Sequence, residues 1–301
     1  MRQYFGYIAA CGWCFITAFS MLLTSEVSQR LSPFIVCFFT FFLANLIFLV
    51  YNICNIRSLW RRILKKSMLS QVFGINVSSF AGWGLMIYPL TYLQPTLVAT
   101  LILGINPIAT VVISRLFFRQ ASPKKLEIIS LALFSVIFLL SVQTFHGENN
   151  IFGTSHFQMI MSLLCCYLSG IATSVNNILT KKIMMNGFSI TDVMCSRFYL
   201  TIIISGIVGF STHKVAIDQD LVFSVFITTM TFVIVPLVLL QVALKKLDPL
   251  RVAIISPLMP VLLVIMQLYN SASSIPDITV GATLVIWLLV SLGTYWAMRK
   301  V

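Results

Sequence analysis

A chain of 301 residues that is 59% hydrophobic and only 9% charged, with a mean hydropathy of +0.98, carries more apolar surface than one water-soluble core can bury. Lipid must be the solvent for most of it, which excludes a soluble enzyme or scaffold. The net charge of +12 comes from basic residues spread through several separate short loops, a pattern that marks membrane orientation and excludes a nucleic-acid footprint.

In chain order, the apolar segments fall near residues 4–23, 33–53, 68–88, 95–114, 126–143, 157–180, 191–210, 221–243, 250–269 and 278–297. At about 1.5 Å rise per residue, each is long enough to cross a hydrocarbon layer of about 30 Å. The sequence therefore predicts an all-α integral membrane fold of ten transmembrane helices with short connections and no soluble domain. The first segment follows Arg2 in the manner of a signal peptide, but no small-residue cleavage site follows, so it is read as a retained helix.

Loop charges set the orientation. With a cytoplasmic N-terminus, 17 of the 20 Lys and Arg residues lie inside. These are Arg2, the cluster Arg57, Arg61, Arg62, Lys65 and Lys66, then Arg115, Arg119, Lys124, Lys125, Lys181, Lys182, Lys245, Lys246, Arg251, Arg299 and Lys300. Arg30 and Lys214 fall outside, and Arg197 lies within a span. Such an alternation places both termini in the cytoplasm and requires an even number of spans.

The seven cysteines, Cys11, Cys14, Cys37, Cys54, Cys165, Cys166 and Cys195, are odd in number and absent from the outside loops, so no disulfide framework is implied. Cys11 and Cys14 form a C-x-x-C, read here as two packed neighbours on one apolar helix face.

The chain also echoes itself. Leu93-Gln94-Pro95 precedes an apolar run to Pro107, and Leu247-Asp248-Pro249 precedes one to Pro260; the proline spacings are 12 and 11. At an offset of 157, Thr40-Phe41-Phe42-Leu43 stands beside Arg197-Phe198-Tyr199-Leu200, and Ser32 beside Ser189. The expected units are residues 1–146 and 147–301. With five helices each, the second enters the bilayer in the opposite sense to the first, and inverted repeats characterise secondary transporters.

The stretch Tyr88-Pro89-Leu90-Thr91-Tyr92-Leu93-Gln94-Pro95-Thr96-Leu97-Val98-Ala99, continuing through Asn106-Pro107 to Ser114-Arg115-Leu116-Phe117, resembles the third-to-fourth-helix signature of EamA-type members of the drug/metabolite transporter superfamily. Ala243-Leu244-Lys245-Lys246-Leu247-Asp248-Pro249, continuing through Pro260, resembles the eighth-to-ninth-helix counterpart, and Gly12-Trp13 is similar to the first-helix aromatic. The resemblance implies a ten-helix bundle in which helices one to four and six to nine surround a central cavity while five and ten lie at the periphery. Two departures stand out. Thr40 occupies the place of the family's second-helix arginine, which reappears in the second unit as Arg197. Arg119-Gln120 and Asn270-Ser271 occupy the places of its glutamates.

Arg197 admits two readings. Its stem can snorkel to the inner headgroups, or its guanidinium can face the cavity and pair with a substrate carboxylate or phosphate, for which its planar fork of donors is suited. Glu127 and Asp192 lie in the first turns of their helices, the other acids lie in loops, and His146, His156 and His213 fall in outside loops. A buried carboxylate is the usual device for cation binding or proton relay, so the expected substrate is neutral, zwitterionic or anionic, such as an amino acid or a related compound, moved down its gradient or by exchange. Asn76, Asn106, Asn176 and Asn177 need partners inside the protein, either one another's helices or a substrate, and Trp13, Trp83 and Tyr199 are candidate cavity walls.

A lipid-processing membrane enzyme would show a D-D-x-x-D or paired histidines with carboxylates, and neither is present in the sequence. That class and a channel remain the alternatives to a carrier. The expected partners are a small-molecule substrate and the lipid bilayer, with no nucleic acid, no cofactor and no metal, in a monomer or homodimer. Minimal loops, with no transit peptide or retention tetrapeptide, point to a bacterial inner (cytoplasmic) membrane, crossed many times. The orientation is open to test. In intact cells, cysteines introduced at Asn149 and Ser274 should react with an impermeant thiol reagent above the wild-type background, whereas those at Trp60 and Asn186 should not; labelling at 60 overturns the topology.

Overall fold

The structure, a computed structural model, describes residues 2–30, 32–119, 122–145, 155–212, 219–269 and 277–299. These residues are almost wholly helical, and no strand occurs among them. In chain order the helices are α1 (Arg2–Arg30), α2 (Pro33–Tyr51), α3 (Ile56–Ile63), α4 (Lys66–Leu90), α5 (Pro95–Phe118), α6 (Lys124–Phe145) and α7 (His156–Met185). There follow α8 (Ile190–Ser196), α9 (Tyr199–Thr212), α10 (Gln219–Thr228), α11 (Val235–Lys246), α12 (Pro249–Ile255), α13 (Leu258–Tyr269) and α14 (Asp277–Arg299). Among the described residues, nine stretches are long and apolar enough to cross a membrane. α4, with 25 residues, has the length but not the apolarity, because it carries the polar residues of the interior.

The packing order repeats. α1 lies against α11 and α7 lies against α4; α5 packs on α7 and α13 on α1; α5 pairs with α6 and α13 with α14. α2 meets α9, and α6 meets α14. Small and polar residues make these close approaches possible, as expected where lipid offers no hydrophobic drive between helices. In α7, Ser162, Ser169, Gly170, Ser174, Asn176, Asn177 and Thr180 are all buried. The outer faces of α6, α9 and α14 carry exposed side chains such as Leu131, Phe138, Ile207, Leu284 and Leu288, the surface that a bilayer solvates.

Several single apolar segments of the sequence are divided. The 191–210 run is α8 and α9, separated at Arg197 and Phe198. Asn76 of α4 stitches that break: its Nδ2 donates to the Ser196 carbonyl at 2.7 Å and its Oδ1 accepts from the Leu200 N–H at 3.4 Å. The 250–269 run divides at Ser256 and Pro257. Pro257 has no N–H for the Ala253 carbonyl, and the Ser256 hydroxyl donates to that carbonyl at 2.8 Å. Between α10 and α11 the chain widens into a π-helical turn, Thr229–Ile234, just before Pro236, whose ring and missing N–H disturb the preceding turn.

A further departure from the sequence reading is α3. The 53–66 connection is in part an amphipathic helix that buries Leu59 and Ile63 while Arg57 and Arg61 face outward. Its Arg62 reaches the start of α8. Asp192 accepts from Arg62 Nη2 at 2.9 Å and from Asn52 Nδ2 at 3.1 Å while closing the capping box of α8 with Ser189. On the same side, Lys181 of α7 caps the end of α11, donating to the carbonyls of Leu244 at 2.6 Å and Leu247 at 3.0 Å.

Gly170 marks a close approach of α7 to the backbone of α5. A Cβ there would collide with the Ile105 side chain and stand 2.6 Å from the Ile102 carbonyl oxygen, which cannot move without displacing α5. Gly170→Ala should therefore destabilise the bundle by about 1–3 kcal/mol, seen as a lower Tm in detergent. Gly281→Ala is the control, since nothing lies within 4 Å of that position.

Candidate functional site

A central cavity of about 60 Å³ lies where α1, α4, α5, α7, α11 and α13 converge on the α8/α9 break. α1 contributes Trp13, Thr17 and Met21; α4 contributes Ser78, Gly82, Trp83 and Met86. Ala99, Ile102 and Leu103 come from α5, Thr173, Asn176 and Asn177 from α7, and Leu237, Leu240 and Met259 from α11 and α13. Neither α6 nor α14 reaches it. Its volume admits a few water molecules but falls well short of the roughly 300–1,000 Å³ typical of ligand pockets, so the walls stand close together.

Arg197 supplies the charge. It is 2% exposed, and its guanidinium turns inward, not toward the headgroups. Nη2 donates to Asn176 Oδ1 at 2.6 Å and Nε to Ser79 Oγ at 3.3 Å, while the guanidinium carbon lies 5.1 Å from the Phe198 ring centroid. Asn176 is held in turn, its Nδ2 donating to Ser79 Oγ at 2.8 Å, Ser78 Oγ at 3.1 Å and the Ile75 carbonyl at 3.2 Å. The α4–α7 seam thus presents neutral oxygens to the guanidinium and fixes its direction. No carboxylate pairs with it among the described residues; the acid nearest in sequence, Asp192, is engaged by Arg62. A buried cation satisfied only by neutral dipoles leaves a positive potential in the cavity, and this favours an anion there.

Two further polar groups of the lining have no hydrogen-bond partner among the described residues: the Thr17 hydroxyl and Asn177 Nδ2. One turn along α7, the Thr180 hydroxyl is likewise unpartnered, and Gln241, fully buried one turn beyond Leu237 on α11, has neither end of its amide paired. Such groups cost free energy unless water or a ligand meets them. One wall is aromatic: Trp83 meets Phe41 and Phe232 edge to face at 5.6 and 5.3 Å, and Phe41 lies 4.9 Å from Phe198.

The structure brings Arg197, Asn176, Asn177, Trp13 and Trp83 together around the cavity and places Asn76, Asn106 and Tyr199 elsewhere. Asn76 serves the helix break. Asn106 sits in the α5–α7 seam, where Ser174 donates to its Oδ1 at 2.6 Å. Tyr199 packs on Trp60 at 6.0 Å, facing away from the cavity. Thr17, Thr173, Met21, Met86 and Gln241 were not singled out from the sequence. Thr17 was within reach, standing one turn after Trp13, and so was Gln241, the one amide in the apolar 235–244 run.

A bundle of apolar helices of spanning length is the architecture of a multi-pass membrane protein. Residues 4–142 match the family model of the EamA-like transporter family, which belongs to the drug/metabolite transporter superfamily. The match spans somewhat less than half of the chain, so its first half is similar to membrane transporters of that family. A solved crystal structure, described only as that of a protein, superposes with a TM-score of 0.66 at 16% identity, over 97% of this chain and 95% of that one, which shows a shared fold. No curated protein matches the sequence.

Asn76 on α4 has a role separable from that of the cavity asparagines Asn176 and Asn177 on α7. Asn76→Leu leaves the Ser196 carbonyl and Leu200 N–H unpaired in the interior and should lower stability by about 1–3 kcal/mol. It should reduce Tm while leaving ligand affinity within a few-fold of wild type, provided the folded fraction is measured.

Proposed function

We propose that this chain is a secondary carrier of ten transmembrane helices, built as inverted units of residues 1–146 and 147–301, with both termini in the cytoplasm. α4 is the tenth crossing in this reading: its 25 residues span about 37 Å at 1.5 Å per residue. Its buried Ser78 and Ser79 face Asn176 of α7. The exchange of partners between halves, α1 with α11 and α7 with α4, is the pattern an inverted repeat produces. The inner membrane of a bacterial cell suits the division of basic residues, and each monomer holds its own cavity, whether alone or in a homodimer.

The substrate proposed is a small metabolite with a carboxylate or phosphate, alone or as part of a zwitterion such as an amino acid. One observation carries this: Arg197 is buried at a helix break on the cavity wall with only neutral partners. Its anionic group would sit on the guanidinium, its polar remainder on Asn177 and Thr17, and its apolar part against Met21 and Met86. With no Asp, Glu or His in the lining, transport would run down the substrate gradient or by exchange.

Arg197→Lys retains a charge but loses the bidentate fork, so affinity should fall while some transport remains. Arg197→Met should abolish uptake of carboxylated or phosphorylated solutes into liposomes, with little loss of Tm because a buried charge is removed rather than stranded. Wild-type affinity in Arg197→Met removes Arg197 from the site.

A further inference from the structure

A second concavity lies on the opposite side of the α8/α9 break, between α3, α4 and α9, with a volume of about 280 Å³. We propose that it is a binding site for one anionic phospholipid of the leaflet on the basic side, its acyl chain in the groove and its phosphate on the α3 rim. The groove is apolar along its length: Ile63 from α3, Leu69 and Phe73 from α4 and Ile203 from α9 line it, and its mouth is framed by Trp60 and Tyr199. Trp and Tyr at such a mouth occupy the position these residues favour at headgroup level.

The rim is positive. Arg57 stands one turn before Trp60 and Arg61 directly after it, both exposed and without a carboxylate partner among the described residues. Lys66, Leu69 and Phe73 follow one another at helical spacing on one face of α4, which carries a cation to the head of the apolar stripe. Arg62 is committed to Asp192 and takes no part. An amphipathic helix with cations at its edge and apolar residues beneath selects anionic over zwitterionic headgroups.

The floor gives the site a consequence. Asn76 and Ser196, which form the floor, are joined by the hydrogen bond that stabilises the break, and Arg197 lies on its far side. A lipid seated there buttresses the break from outside the carrier's own cavity. The inference depends on the proposed function only for the name of the leaflet, and its test does not require transport.

Purified full-length protein is equilibrated in detergent with equal amounts of phosphatidylglycerol and phosphatidylcholine of the same chains, and retained lipid is counted by native mass spectrometry. The expected result is one phosphatidylglycerol per chain, retained about tenfold over phosphatidylcholine, as a few surface cations provide. Arg57→Gln combined with Arg61→Gln and Lys66→Gln should reduce that preference to near unity. Lys245→Gln, at the basic end of α11, should leave it unchanged. Ile203→Trp, at a position 56% exposed and so tolerant of size, should expel both lipids from the groove. Tm of each variant in the same detergent confirms folding. Equal retention of the two lipids by the wild type, an unchanged preference in the triple variant, or an equal effect from Lys245→Gln overturns the site.

Discussion

A guanidinium in the interior of a lipid-solvated bundle has to be held by the protein around it, and the arrangement of this protein follows from how that is done. A carboxylate partner would neutralise Arg197 and leave nothing for a ligand to read. Neutral oxygens on Asn176 and Ser79 instead orient it and leave its charge uncancelled. Those oxygens must lie on rigid helices in close contact, so α4 and α7 have to approach closely, and the serines, asparagines and glycines of both helices serve that approach. The same polar content keeps α4 below the apolarity of the other spans.

The two halves share their packing order but not their continuity. α5 runs unbroken through Pro107, whereas its counterpart in the second half divides at Pro257; α2 is continuous, whereas α8 and α9 part at Arg197. A broken helix exposes carbonyls and N–H groups that need outside partners, and each break recruits one from the first half. Asn76 meets the break at Arg197, and the Cys14 thiol points at the Ile255 and Ser256 carbonyls at 3.7 and 3.9 Å. The second half therefore carries the irregular backbone while the first half supplies the braces.

This division explains what was legible in the sequence. Apolar run lengths located nearly every spanning segment, because lipid solvation is a one-dimensional property of the chain. Pro236 and Pro257 stand beside two of the irregularities, within runs read from the sequence as the single spans 221–243 and 250–269. The break at Arg197 had no such signal: neither glycine nor proline occurs there, and its stabilising partner lies 120 residues away. Of the asparagines, Asn176 and Asn177 reach the cavity and Asn76 and Asn106 do not, although composition makes them equivalent. Burial of an amide in lipid demands a partner, but which partner depends on helix rotation. α3 escaped a window tuned to long apolar runs, although Leu59 and Ile63 one turn apart among arginines carry an interfacial pattern.

The magnitudes also distinguish the contacts at the helix ends from those within the bundle. At the basic ends of the helices, α3 is tied to α8 and α7 to the end of α11. The contacts there are the Arg62–Asp192 pair, with its arginine 37% exposed, and the Lys181 cap. Only the arginine of that pair is open to solvent; Asp192 is 7% exposed, so stranding its carboxylate costs more than the about 0.2–1 kcal/mol of a surface pair, while a cation at a helix end contributes about 0.3–1 kcal/mol. The α4–α7 seam is different. Its hydrogen bonds run between fully buried groups, and stranding any one of them costs about 1–3 kcal/mol. The seam that aims Arg197 is thus held by several buried hydrogen bonds, against the half-buried Lys181 cap at the basic end, and it fixes the orientation of the cationic group.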